Sequence, residues 1–356
     1  MEKFNVAGRQ DTRVSSKNRP VFALQWHLTT ACPNNCRHCY VKRNSRILSL
    51  RDCMLIIDDF QSLLKKWSCD GQIYFTGGDP LLYPRFFQLL AYTHRQNPDI
   101  TIGILGNPEL LTNAVGDRLK REGVYSYQMS LDGMEKTHDR TRHPGSFKNT
   151  IGKLDLLKKN GIKTAIMTTV NKTNLEEIPS IVDLIIKSGV DIFDFHRFIP
   201  IGNGENVKED AQISPLEFRR LLSEVNTKYQ EYINCSTFLG REDPLWELFY
   251  LEKGLLKKSR KSALISGGCV IGCSELTILE DGTVLSCRRL PIPIGRVPKQ
   301  TLRDIFIVSP LLNKMREINK IQRCRECSLI SHCRGCRAMA YAVKGDYFAA
   351  DPQCWR

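Results

Sequence analysis

Between Val21 and Tyr232, short runs of β-branched and aromatic residues alternate with longer stretches in which apolar residues recur every three or four positions. That alternation predicts successive βα units on a parallel sheet. The predicted strands are residues 21–28, 72–76, 101–105, 124–131, 162–170 and 192–198, and the predicted helices lie near 49–67, 84–96, 111–122, 147–159, 175–188 and 215–232. In the first helix Met54, Ile57, Phe60, Leu64 and Trp67 share one face behind a capping Ser49, so that face is expected to pack on the sheet. Gly123 and Gly161 each separate a helix from a strand, where a left-handed residue without Cβ is favoured.

Beyond Tyr232 the pattern fades, and residues 266–356 become short in their elements and dense in Gly, Pro, Arg and Cys. The expected organisation is an N-terminal extension (1–20), a βα domain (21–235), a linker (236–265) and a cysteine-rich domain (266–356) held together by metal sites, since so short a segment buries little apolar surface. No apolar run approaches the roughly 20 residues that cross a bilayer, and the polar start is no secretory signal, so no membrane span and a cytoplasmic location are expected. Lys and Arg number 52 against 38 acids, a net charge of +14. The basic runs 13–19, 42–46, 257–261 and 316–325 lack interleaved aromatics, so they are read as solvated faces and no nucleic-acid partner is expected.

The cysteines change the picture most. There are fourteen, too many for a reducing compartment unless they serve metal or redox chemistry. Cys32, Cys36 and Cys39 follow the first predicted strand as C-x3-C-x2-C, at the strand end where parallel α/β proteins bind ligands. Three thiolates can hold three irons of a 4Fe-4S cubane and leave the fourth open. A zinc knuckle completed by His38 is the alternative. Eight more cysteines between Cys269 and Cys354 suffice for two four-thiolate sites, although Cys324, Cys327, Cys333 and Cys336 alone also spell a zinc ribbon. Cys53, Cys69 and Cys235 are read as ordinary buried thiols.

The first motif, followed by Tyr40 and set at the head of a βα series, resembles that of the radical S-adenosylmethionine (radical SAM) enzymes. The resemblance implies a partial (β/α)6 TIM-like barrel. It implies that Cys32, Cys36 and Cys39 hold a 4Fe-4S cluster whose open iron binds the amino and carboxylate groups of S-adenosyl-L-methionine, giving a 5′-deoxyadenosyl radical that removes a substrate hydrogen. Thr76-Gly77-Gly78-Asp79 resembles the family's Gly-Gly-Glu segment, with Asp for Glu, and would receive the methionine amine. Ser130-Leu131-Asp132-Gly133 resembles Ser-x-Asp-Gly, with polar groups near ribose and carboxylate. Arg142 and Asn171 would add to that cofactor site, and Tyr40 would flank the adenine. The C-terminal cysteines resemble the SPASM extension, which implies two auxiliary 4Fe-4S clusters: one on Cys269, Cys273, Cys287 and Cys336, the other on Cys324, Cys327, Cys333 and Cys354. The spacing Cys333-x2-Cys336 is one residue shorter than usual.

Three clusters and a SPASM extension resemble maturases of ribosomally made peptides, which form a thioether or carbon–carbon crosslink or epimerise a residue. The implied partners are a precursor peptide, an electron donor such as flavodoxin or ferredoxin, and a separate leader-binding protein, because some 20 residues precede the barrel. Enzymes that make formylglycine carry an aspartate directly after the cysteine matching Cys287. Arg288 and Arg289 stand there instead and suit a carboxylate. The alternative is tetrapyrrole side-chain chemistry, since Cys336-Arg337-Ala338 and Asp351-Pro352-x-Cys354 also resemble the haem d1 and alternative-haem enzymes. A non-catalytic iron–sulfur carrier or regulator is the reading from another class.

Overall fold

The computed structural model describes residues 19–42, 46–256, 265 and 267–356. Most of the expected N-terminal extension, the basic runs within 1–18 and 257–261, and residues 43–45, 257–264 and 266 lie outside the described residues.

Among the described residues, ten strands form one sheet: β1 (Val21–Thr29), β2 (Asp70–Gly77), β3 (Thr101–Leu105), β4 (Val124–Ser130), β5 (Lys163–Val170), β6 (Ile192–Arg197), β7 (Phe238–Leu239), β8 (Glu275–Ile278), β9 (Thr283–Leu285) and β10 (Pro293–Arg296). Their order is β10-β9-β8-β1-β2-β3-β4-β5-β6-β7. From β8 through β7 all neighbours are parallel, whereas β9 and β10 pair antiparallel. The helices are α1 (Leu50–Trp67), α2 (Phe86–Gln96), α3 (Asn113–Arg121), α4 (Glu135–Thr141), α5 (Ser146–Lys159), α6 (Ile178–Lys187), α7 (Lys208–Ala211), α8 (Pro215–Glu231), α9 (Trp246–Glu252), α10 (Leu302–Val308), α11 (Pro310–Met315) and α12 (Arg337–Lys344).

The six expected strands and the helices between them are present. Ser49 Oγ accepts the Asp52 N–H at 3.1 Å and caps α1, while Ile57, Phe60 and Leu64 lie buried. Met54 and Trp67, at the rim of that face, are half-buried. Gly123 and Gly161 take φ of +74° and +62°, where a side chain would be strained.

Alternation along the strands decides what faces inward. Leu24, Trp26 and Phe75 point at the helices, with the Trp26 and Phe75 rings 6.0 Å apart and Phe75 edge-on to Phe86 of α2. The opposite face is mostly polar, with Leu105, Ala165, Met167 and Ile192 among its apolar members. Thr277, Gln25 and Tyr74 stand side by side in register, as do His27 and Thr76. Following the register round, Ser130, Met167 and Asp194 share that face, then Thr169 and His196. Glu275 on β8 feels the charge of Glu242, which lies just beyond β7, so the two ends of the strip approach each other across a lumen.

Two expectations are corrected. Residues 236–256 are not simply a linker: β7 pairs with β6, and α9 buries Trp246 against Phe195 and Tyr229. The cysteine-rich segment does not rest on metal alone. Its β8 hydrogen-bonds into β1, Leu276, Ile278, Leu302 and Ile305 join the barrel's core, and Phe306 packs edge-on against Phe22. Both were hidden because each element is short and its partner lies far away in sequence. Cys53 and Cys69 are buried as expected, whereas Cys235 is half-buried, its Sγ donating to Thr237 O at 3.4 Å. No helix among the described residues is long and apolar enough to cross a membrane.

Candidate cofactor and active site

The three clustered cysteines occupy the loop after β1 as half-buried free thiols. The Gly77-Gly78 segment presses against the base of that loop. Gly77 has φ of +136°, and a Cβ on Gly78 would lie 2.2 Å from Ala31 O. Gly78 and Asp79 N–H groups donate to Thr29 O and Ala31 O, both at 2.7 Å. Two glycines are therefore required for backbone contact and not merely for a turn.

Asp79 is fully buried, and its charge is felt at Cys32. Its carboxylate accepts Leu81 N–H at 3.0 Å and the Asn107 side-chain amide at 3.0 Å. Burial pushes its carboxyl up, and the Asn107 hydrogen bond opposes that. Asn107, in the loop after β3, also donates towards Gly78 O at 3.3 Å and Cys32 Sγ at 3.7 Å, and accepts Asn34 Nδ2 at 3.1 Å. The sequence reading missed Asn107. Its only signal was a polar residue at the carboxyl end of a strand.

Asp132 centres a second network. Its Oδ2 pairs with Arg142 Nε and Nη2 at 2.8 and 2.7 Å, its Oδ1 accepts Thr169 N–H at 2.8 Å, and His38 Nε2 lies 3.6 Å away. Burial alone would raise this carboxyl, but Arg142 first, then His38 and His138, hold it down at about 2. The Asp132 N–H donates to His138 Nδ1 at 2.9 Å, and Asn174 Nδ2 donates to Asp132 O at 3.0 Å. Neither partner was foreseen. Arg142 Nη1 reaches Cys36 Sγ at 3.7 Å, so Asp132 and Arg142 form a relay from the sheet to the cysteine loop.

The other expected contacts are distributed differently. Ser130 is the last residue of β4 and Thr76 the last but one of β2, both on the inner face. Tyr40 meets His27 edge-on with ring centres 6.0 Å apart, and its loop is held by Asn203 N–H donating to Cys39 O at 2.8 Å. Asn171 turns its oxygen to Thr173 N–H and Oγ at 2.8 and 2.6 Å, closing its own turn.

In the C-terminal segment the thiols sort into two neighbourhoods. Cys269 feels the charge of Cys336, and Cys287 that of Cys269. Cys324 feels Cys354 and Cys327, and Cys333 feels Cys354 and Cys324. Cys273 lies at the start of β8, lining a cavity of about 250 Å³ with Cys69, Trp67 and Phe306. Arg197, fully buried at the end of β6, ties this region to the barrel. Its guanidinium donates to Asp351 at 3.0 and 2.9 Å, Gln353 at 2.8 Å and Asp243 at 2.7 Å, and Asp351 accepts the Cys336 N–H at 2.7 Å.

Soft thiols with N–H donors aimed at several of their sulfurs are the donor chemistry of iron–sulfur sites. Comparison with known proteins agrees. Residues 26–185 match the Radical SAM superfamily, and residues 269–337 match SPASM, the iron-sulfur cluster-binding domain. This chain carries a radical SAM domain and a SPASM domain. An AdoMet-dependent heme synthase of Methanosarcina barkeri is 28% identical over 343 residues, 93% of this chain and 95% of the relative. The sporulation killing factor maturation protein SkfB of Bacillus subtilis is 24% identical, over 80% of this chain and 64% of its own. Among solved structures, Streptococcus suis SuiB bound to its precursor peptide SuiA superposes with a TM-score of 0.74 at 19% identity, over 95% of this chain and 77% of SuiB. The anSMEcpe structure with bound AdoMet gives 0.74 at 16%, over 94% of both chains. The protein is therefore a radical SAM/SPASM enzyme with S-adenosylmethionine and iron–sulfur clusters as cofactors, which sets aside the carrier reading.

Proposed function

We propose that this radical SAM/SPASM enzyme matures a ribosomally made peptide, introducing a thioether or carbon–carbon crosslink or inverting a residue. The mostly polar lumen carries this reading. Gln25, Tyr74, Ser130, Thr169, Asp194 and His196 share the inner face. A peptide brings N–H and C=O groups that need such partners, whereas a flat macrocycle buries broad apolar faces and is better served by apolar walls.

Cys32, Cys36 and Cys39 would hold the radical SAM cluster, and Tyr40, Thr76, Gly77, Gly78, Asp79, Ser130, Arg142 and Asn171 would surround S-adenosylmethionine. Bound there, the pair supplies reductive C–S cleavage and hydrogen abstraction. The chain's part is positional. Asn107 and Arg142 direct donors at Cys32 and Cys36 sulfurs, which stabilises thiolate charge and fixes the loop. Asp132 holds Arg142 in place. Cys269, Cys273, Cys287 and Cys336, and separately Cys324, Cys327, Cys333 and Cys354, would ligate two auxiliary clusters. Four thiols for each leave no open corner, which suits electron transfer. A precursor peptide, a flavodoxin or ferredoxin donor and a separate leader-binding protein are the partners this reading needs.

A second reading, tetrapyrrole side-chain chemistry, is favoured by the heme synthase likeness and by Arg288 and Arg289. Isotope transfer tests the choice. The reconstituted enzyme, given S-adenosylmethionine and reductant, should move deuterium into 5′-deoxyadenosine from a precursor peptide labelled at backbone and cysteine carbons, with a crosslinked product lighter by two hydrogens. Transfer from a labelled porphyrin and none from the peptide would reverse the order.

A further inference from the structure

The inner wall holds polar atoms that the strands do not satisfy. Gln25 Nε2, His27 Nε2 and Thr277 Oγ1 are buried without a hydrogen-bond partner among the described residues. The three residues are 5%, 2% and 0% exposed. Gln25 and Thr277 are register partners, and His27 is the next inward residue of β1. A buried polar atom left without a partner is costly unless something supplies one. Three on one wall, facing one space, mark a surface that a ligand completes. None belongs to the networks around Asp79 and Asp132.

Two arginines reach the same space. Arg288 makes no side-chain hydrogen bond or ion pair among the described residues, yet its charge is felt at His27, Tyr40, His196 and Glu275. Those four come from β1, the cysteine loop, β6 and β8, so Arg288 lies among them. Arg289 Nε is another buried donor without a partner, and its charge reaches Tyr40, His196 and Glu275. Arg289 also feels Cys336, Cys287 and Asp243, the last already paired with Arg197, and Glu275 feels both arginines. Glu242 stands 3.7 Å from His196 Nε2, and the Asp194 carboxylate accepts the Phe195 and Glu242 N–H groups. His27 is neutral, held down to about 3 by burial and by Arg288, so with its proton on Nε2 it too donates. The wall thus gathers unpaired donors and two guanidinium groups.

We propose that Arg288 and Arg289, with Gln25, His27 and Thr277, form a carboxylate-binding subsite of the lumen that anchors an acidic group of the substrate beside the cysteine loop. A guanidinium grips a carboxylate through paired N–H donors, and the amide, hydroxyl and imidazole fill its remaining lone pairs. The proposal rests on the peptide-maturase reading for its first source, an aspartate or glutamate side chain or a terminal carboxylate. A tetrapyrrole propionate presents the same chemistry.

The test is binding of matched acid and neutral probes to the anaerobically reconstituted enzyme with S-adenosylmethionine. One pair is a capped tripeptide with central glutamate and its glutamine counterpart; the other is Fe-coproporphyrin III and its tetramethyl ester. In at least one pair the acid form should bind about tenfold or more tightly, and the preference should fall to within about twofold in the Arg288→Gln/Arg289→Gln double variant. That acid form should also protect Arg288 from phenylglyoxal in the unmutated protein, read by peptide mass, so the result stands even if the variant misfolds. No acid preference in either pair, a preference that survives both substitutions, or an unprotected Arg288 overturns the subsite. Acid preference for the porphyrin alone keeps the subsite and counts against the peptide reading, which the isotope experiment judges independently.

Discussion

Asp132 carries two duties that one substitution separates. Asp132→Asn keeps an acceptor for Thr169 N–H but leaves Arg142 buried without its counter-charge, a loss of about 3–5 kcal/mol. Urea unfolding should show it as a lower midpoint with an unchanged slope. The pH sign follows from the depressed carboxyl, about 2 when folded against an ordinary 3.8. Its contribution is complete above the ordinary value and disappears as pH falls towards 2, so the stability gap between wild type and variant should close over that acid range. Arg197→Met should cost a similar amount, because Asp243 and Asp351 would each stay buried with an unpaired charge. The cysteines and Asp132 were legible in the sequence because their spacing is local and chemically restrictive. Asn107, His138 and Asn174 were not: each is an ordinary loop or helix polar residue until the fold brings its partner close.

At the level of elements, the Gly77-Gly78 bend and the cysteine loop behave as one unit, so damage to either should appear in the other. Gly78→Ala would place a methyl 2.2 Å from Ala31 O, backbone against backbone, with no flexible partner to yield. The expected outcome is loss of about four irons per chain, read by iron analysis after anaerobic reconstitution, with the C-terminal clusters retained. The helix α8 offers a milder test. Ser214 and Glu217 form a reciprocal cap, and Ser214→Ala should lower unfolding free energy by about 1 kcal/mol without touching cofactor content. Element boundaries were readable where apolar periodicity ran long, as in α1 and α8. In contrast α4, Glu-Lys-Thr-His-Asp-Arg-Thr, presents no apolar stripe, and its contacts with Asp132, Glu177 and the start of α5 hold its helix.

For the whole molecule, three cubane clusters predict about twelve irons and twelve sulfides per chain, and replacing Cys32, Cys36 and Cys39 together by alanine should remove about four. Zinc in the C-terminal segment of anaerobically purified protein, one per thiol quartet, would overturn that count. The division into a barrel and a cysteine-rich tail was legible from composition. The way the tail completes the barrel was not, because β8 finds β1 across most of the chain and four residues carry little signal of their own. That late pairing has a practical consequence. A chain ended at residue 265, the boundary the sequence invites, would leave the backbone N–H and C=O groups of residues 23–26 as an unprotected template for any other extended chain. Such a fragment should be recovered as aggregates, and light scattering during refolding should show it, whereas the full chain stays monodisperse. The tail is thus the barrel's own edge protection as well as its source of thiols, and nascent protein carries that exposed strand until residues 275–278 have emerged.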